Sequence, residues 1–230
     1  MNPIIVALDV DSAAEARRIV DAVGGATDFF KVGMELYAAA GMEFVRELKA
    51  EGRRVFLDMK FYDISETVKR AVAQVAKAGV DLLTVHGSMD VMKAAVAGRG
   101  SAPLKLLGVT VLTSFDETDL ADLGYPCNVQ DLVALRARNA KAAGMDGIVC
   151  AAVDLTQVRA IIGSEMLTVV PGVRSVGAAA ADQKRVATPA DAMRDGATYL
   201  VIGRQVTRAA DPRTEVDNIL AEIERAIMKA

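Results

Sequence analysis

Residues 55–79 read VFLDMKFYDISETVKRAVAQVAKAG. The stretch changes period partway along. Val55 to Lys60 is a short run dominated by branched and aromatic apolar residues, the pattern of a strand buried on both faces. From Glu66 onward, apolar residues recur near i, i+3, i+4 and i+7 with polar ones opposite, as in an amphipathic helix that ends at Gly79. One strand followed by one helix is a βα unit, and its repetition along the chain decides the fold.

The unit recurs. Strand-like runs lie at Ile4–Val10, Phe29–Met34, Val55–Lys60, Leu82–His86, Leu106–Thr113, Gly147–Ala152, Leu167–Val173 and Tyr199–Arg204. Helical segments such as AAEARRIVDAV and ELYAAAGMEFVRELKAEG separate them, and Gly52, Gly79, Gly144 and Gly196 stand where C-terminal caps are needed. Strands alternating with helices imply a parallel sheet with right-handed crossovers. Eight repeats in 230 residues favour closure into a single-domain (β/α)8 TIM barrel over residues 1–230. The competing open doubly wound sheet lacks its fingerprint, because no G-x-G-x-x-G follows any strand.

Composition agrees and narrows the function. Hydrophobic residues are 52% and charged residues 25%, enough for a large core. Aromatics are 4% and Trp is absent, so that core is aliphatic. A net charge of −3 without a long basic run argues against nucleic acid as partner. Cys127 and Cys150 form no C-x-x-C pair, and the acidic residues form no cluster with metal-ligand spacing, so no metal site is expected. The N-terminal MNPIIVALDV has no basic n-region and no apolar run spans a bilayer; a soluble cytoplasmic protein is the expectation, with no membrane partner.

In such a barrel the active site lies at the C-terminal rim of the strands. The polar residues expected there are Asp9, Lys31, Asp58, Lys60, His86, Thr113, Ser114, Arg174, Gly203 and Arg204. The PGVR and IGR runs each join a Gly to an Arg after strands seven and eight, where this fold commonly binds phosphate. A helix starting soon after Arg204 would add its positive end. Strand alternation points Asp58 and Lys60 to the same side. An ammonium among carboxylates keeps its proton, which suits a proton donor rather than a Schiff-base nucleophile. A rim ion pair is the plain alternative. Asp63 reads two ways, since DISE fits a capping box with Glu66 at the third helical position. Asp9 is a barrel-mouth hydrogen bonder or a helix-entry residue, and Lys31 inside FFKVGM needs a partner. His86 reads as a satisfied rim residue. The run SVGAAAADQKR (175–185) is a lid or a surface loop, after which Thr188 caps a helix opened by Pro189.

The runs VALDV, FKVGMELY, FLDMKFYDI-x-x-T, GVTVLTS, VVPGVR, DQKR and VIGR-x-V-T-x-x-x-DP, in this order and spacing, resemble the bacterial form of the orotidine 5′-phosphate decarboxylase family across nearly the whole chain. D-x-K-x-x-D alone is shared with metal-dependent relatives, and its combination with PGVR and Gln183 is more specific. The resemblance implies decarboxylation of orotidine 5′-monophosphate to UMP and CO2 in pyrimidine biosynthesis, without metal or organic cofactor. It implies Lys60 as the acid that protonates C6 and Asp58 as the carboxylate beside the substrate carboxylate. It implies Asp63 as the second catalytic acid of the charge network, and a homodimer in which Asp63, Ile64 and Thr67 reach the partner's site. Asp9 and Lys31 resemble ribose contacts, Thr113 and Ser114 the pyrimidine loop, and Arg174, Gln183, Gly203 and Arg204 the phosphate grip. Ser65 stands where the family often has Pro. A metal-dependent sugar-phosphate lyase or decarboxylase of the same superfamily is the alternative.

Overall fold

The computed structural model describes residues 2–176 and 187–228. The elements run β1 Ile4–Ala7, α1 Ala13–Val23, β2 Phe29–Gly33, α2 Met34–Ala50, β3 Arg54–Phe61, α3 Ser65–Lys77, β4 Leu82–His86, α4 Met89–Arg99 and β5 Lys105–Val109. They continue as α5 Glu117–Asp122, α6 Val129–Ala143, β6 Gly147–Val149, α7 Leu155–Ile162, β7 Leu167–Pro171, α8 Pro189–Arg194, β8 Tyr199–Ile202, α9 Arg204–Thr207 and α10 Pro212–Ile227. All eight strands pair in parallel in chain order, and β8 pairs back onto β1 to close the barrel. The expected (β/α)8 architecture is therefore the observed one.

Two apolar clusters follow from strand parity. Alternate strand residues face inward, and Ile5, Ala7, Phe29, Phe56, Leu82, Leu107, Val169, Tyr199 and Val201 fill the barrel interior. The remaining strand residues face outward and pack against the helices in the larger cluster, with Val6, Val32, Leu57, Leu83 and Ile148 meeting Val20, Leu48, Val72 and Val133. Parity then fixes the rim. Two residues beyond Phe29, Phe56 and Leu82 come Lys31, Asp58 and Thr84, all on the inner side toward the mouth.

Local signals are mostly as expected. Thr188 caps α8 by accepting from Asp191 N, with Pro189 in its first turn. Ser12, in the DVDS run, caps α1. Gly144 closes α6 in the left-handed conformation. Strands β1, β5 and β7 end earlier than the apolar runs that announced them, so Asp9, Thr113, Ser114 and Arg174 lie in the loops just past them. Gly41, with φ 64 and ψ −166, interrupts α2, where the sequence reads as one uninterrupted helix. The capping box at DISE does not form. The N-cap of α3 is Ile64, without a side-chain cap bond, and the Asp63 carboxylate accepts instead from Ile64 N at 2.7 Å. The phosphate-side helix α9 opens at Arg204 itself and is one turn long.

Candidate active site

A cavity of about 780 Å3 opens at the C-terminal end of the barrel. It brings together Asp9, Lys31, Asp58, Lys60, Thr113, Ser114, Arg174, Gly203 and Arg204, nine of the positions singled out from the sequence. Phe56, Val109, Pro171 and Val201 also line it, so charged groups stand against an apolar wall.

The charges on one side form an alternating row. Lys31 Nζ donates to Asp9 Oδ1 at 2.6 Å and lies 3.7 Å from Asp58 Oδ2, and Lys60 Nζ donates to Asp58 Oδ1 at 2.8 Å. Exposure falls and rises along the row: the side chain of Asp9 is 54% exposed, Lys31 8%, Asp58 15% and Lys60 31%. All four line the cavity; the inner two are paired where desolvation would otherwise be costly, and the outer two are the more exposed. Gly33 makes room for the row, because a Cβ there would stand 2.7 Å from Asp9 Oδ1 and 2.8 Å from Lys31 Nζ. Burial pushes the Asp58 carboxyl up. The Lys31 and Lys60 ammoniums, together with hydrogen bonds from Lys60 and Thr84, outweigh it and hold the group below its ordinary value.

Simple strand alternation does not explain how Asp58 and Lys60 meet. The register shifts between Leu57 and Phe61, and Lys60 has φ 47, the one positive φ outside glycine among the described residues. The pair is set by a bulge, not by an unbroken pleat.

The opposite side of the mouth is made by PGVR and IGR. Gly172 has φ 78, a conformation that leaves little choice of residue. Arg174 N donates to Ala187 O, and Val173 bridges to Ala187, so the chain returns beside the point where it left β7. Gln205 ties this corner together: its Oε1 accepts from Ser175 N at 3.1 Å and its Nε2 donates to Ser175 Oγ and Glu215 Oε1. Sequence reading missed Gln205, and it missed Thr84 on the other side. Gln205 directly follows Arg204 in α9, and Thr84 stands in β4 two residues before His86.

Asp63, Ile64 and Thr67 do not line this cavity; all three are exposed on the outer rim after β3, with Ile64 at 73%. Gln183 and the lid expectation lie outside the described residues. His86 is not the satisfied residue expected. Its Nδ1 is buried without a hydrogen-bond partner among the described residues, its ring lies 4.2 Å from that of Tyr62, and burial followed by the charge of Arg136 lowers its pKa. Among the described residues no group of His, Cys, Asp and Glu is arranged to hold a metal ion.

The sequence profile of the Orotidine 5′-phosphate decarboxylase / HUMPS family matches residues 2–219. The chain belongs to this family. It is an enzyme, a carboxy-lyase. The orotidine 5′-phosphate decarboxylase of Nitrobacter winogradskyi is 50% identical over 224 residues, covering 97% of this chain and 93% of that protein. The one from Methylobacterium sp. (strain 4-46) is 50% identical over 226 residues, covering 97% and 96%. The crystal structure of orotidine 5′-phosphate decarboxylase from Lactobacillus acidophilus superposes with a TM-score of 0.84 at 33% identity, covering 97% of this chain and 99% of that one. The family's barrel and the charged mouth described above thus occur in one chain.

Proposed function

We propose that this chain converts orotidine 5′-monophosphate to UMP and CO2 as a step of pyrimidine biosynthesis. The observation that carries the reading is the Asp9–Lys31–Asp58–Lys60 row facing the Arg174, Gly203 and Arg204 corner across one cavity. The 5′-phosphate is bound by Arg174, Gly203 and Arg204, with Gln183 of the SVGAAAADQKR run. The ribose hydroxyls meet Asp9 and Lys31, and the pyrimidine lies against Thr113 and Ser114. This directs the C6 carboxylate toward Asp58 and Lys60.

The bond between C6 and the carboxylate carbon breaks, the electron pair stays on C6, and Lys60 Nζ delivers a proton there. Asp58 is an anion beside the departing carboxylate, and loss of CO2 relieves their repulsion. Binding energy from the remote phosphate holds the substrate in this otherwise unfavourable place. The chain acts as one barrel domain over residues 1–230, in the cytoplasm, as a homodimer without metal or organic cofactor. Asp63, Ile64 and Thr67 complete the partner's site. Their exposure in the single chain supports this, because residues that serve a neighbour stay uncovered alone. No helix of the described residues is long and apolar enough to cross a membrane.

Two experiments test the reading. Purified protein is mixed with orotidine 5′-monophosphate in EDTA and absorbance is followed. Chelator-insensitive loss of the substrate band is expected; no change with ample enzyme overturns the proposal, and activity that EDTA abolishes favours the metal-dependent lyase. For the dimer, inactive Lys60→Ala and Asp63→Ala chains are mixed. If Asp63 serves the partner, random pairing restores about a quarter of wild-type sites. No recovery on exchange of subunits would place Asp63 in its own site.

A further inference from the structure

The bulge in β3 has a single partner. Pairing runs Leu57↔Leu83 and next Phe61↔Val85, so Asp58, Met59 and Lys60 together stand opposite Thr84. Lys60 closes the bulge at φ 47, an unfavourable conformation for a residue with a Cβ that persists only where its surroundings impose it. Out of the regular ladder, Lys60 N donates to Thr84 Oγ1 at 2.9 Å. The same hydroxyl donates its own proton to Asp58 Oδ1 at 2.9 Å, and that oxygen also accepts from Lys60 Nζ at 2.8 Å. Backbone, hydroxyl, carboxylate and ammonium close a ring of three hydrogen bonds. A hydroxyl can donate once and accept at the same time, so one rotor position serves both of its bonds. Thr84 is fully buried and does not line the cavity.

We propose that Thr84 is the positioning residue of the catalytic pair: its hydroxyl holds the Lys60 backbone in the bulge and aims the Asp58 carboxylate, without touching substrate. The inference rests on the decarboxylase reading. A Val at this position keeps the shape and removes both bonds, leaving Lys60 N without its acceptor and Asp58 with one donor fewer. Ser restores the hydroxyl and omits only the methyl group. Packing and positioning therefore separate cleanly between the two substitutions.

The test compares the full-length wild type with Thr84→Val and Thr84→Ser in the EDTA assay, with the dissociation constant of UMP and the melting temperature measured alongside. For Thr84→Val, kcat falls roughly 10- to 100-fold while UMP affinity stays within about threefold, the expectation for a lost bond to a charged group away from the ligand. Thr84→Ser returns kcat to within about threefold of wild type. Equal kcat for Thr84→Val and wild type overturns the inference, and so does a Thr84→Ser variant as slow as Thr84→Val, which would assign the effect to the methyl group. If Thr84→Val does not fold, Thr84→Cys carries the same comparison, since its thiol keeps the volume and bonds weakly. A wild type inert toward orotidine 5′-monophosphate refutes the decarboxylase reading itself, whereas an active wild type with an equally active Thr84→Val refutes this inference alone.

Discussion

Two polar networks sit at opposite ends of the same barrel. At the C-terminal mouth, four charges alternate from Asp9 to Lys60, and all four line an open cavity. At the N-terminal end, one guanidinium gathers the chain. Arg159 of α7 donates to the carbonyls of Gly163, Met166 and Gly196 and to the hydroxyls of Thr168 and Thr198, tying α7 to β7 and to the turn before β8. Thr168 and Thr198 bond each other's backbone as well. The lower network is closed on backbone and hydroxyl groups. The upper one holds like and unlike charges close together around a strained residue. In a barrel of this kind, groups at the lower end serve stability and groups at the upper end serve chemistry. The two networks should therefore answer mutation in opposite ways.

The largest break in that comparison is Lys60→Ala. It removes the proposed proton donor and should lower kcat by roughly 10²- to 10⁴-fold, the range for a positioned general acid. UMP binding should survive, because the phosphate corner is made by other residues. Titration calorimetry with UMP alongside the absorbance assay checks both. Loss of UMP binding would instead make Lys60 a ligand contact.

Arg159→Met is the converse experiment. It keeps much of the aliphatic stem and leaves the carbonyls of Met166 and Gly196 short of a donor. A stability loss of about 2–3 kcal/mol is expected, lowering the melting temperature by roughly 5–10 °C in a chain of this size. At room temperature kcat should remain within about twofold of wild type. A large fall in kcat without a fall in melting temperature would mean the lower end communicates with the mouth, and the division of labour would fail.

That division was only partly legible in the sequence. The eight strands could be read because each is an aliphatic run with a helix-period segment after it, and the rim charges because they interrupt or end those runs. The bulge was not legible, since D-x-K is also what an unbroken strand looks like when two polar residues face one way. Thr84 was hidden for a related reason: a single Thr inside LLTVH is an ordinary strand residue until the register of β3 is known. The Gly41 break was masked by the helix-forming AAA and EFVRELK on either side. Arg159 carries no sequence signal beyond one cation in an amphipathic helix, because its acceptors are mostly main-chain carbonyls.

A smaller effect separates the networks by pH. The Asp58 carboxyl is held below its ordinary value of 3.8, so in that range the unfolded chain binds more protons than the folded one. The stabilisation it contributes is complete above the ordinary value and is lost as pH falls through the lowered folded value. Urea unfolding at steps between about pH 6 and pH 3 should show wild type losing stability on acidification more steeply than Asp58→Asn. Parallel pH slopes would show that the two ammoniums do not favour the ionised carboxylate.

The smallest expected effect on stability lies just outside the upper network, at Asp63. As a helix cap its removal would cost stability in a single chain, as losing a capping carboxylate usually does. The geometry argues otherwise, because the carboxylate bonds only to the neighbouring Ile64 N among the described residues, and the α3 N-terminus has no side-chain cap. Asp63→Ala should thus leave the melting temperature within about 2 °C of wild type, as for an exposed substitution away from any cap. Measured over a range of protein concentrations, the same scan also reads the dimer: a difference that grows on dilution locates the role of Asp63 between subunits, where binding of a partner stabilises the fold by mass action. A concentration-independent drop of several degrees would restore the cap.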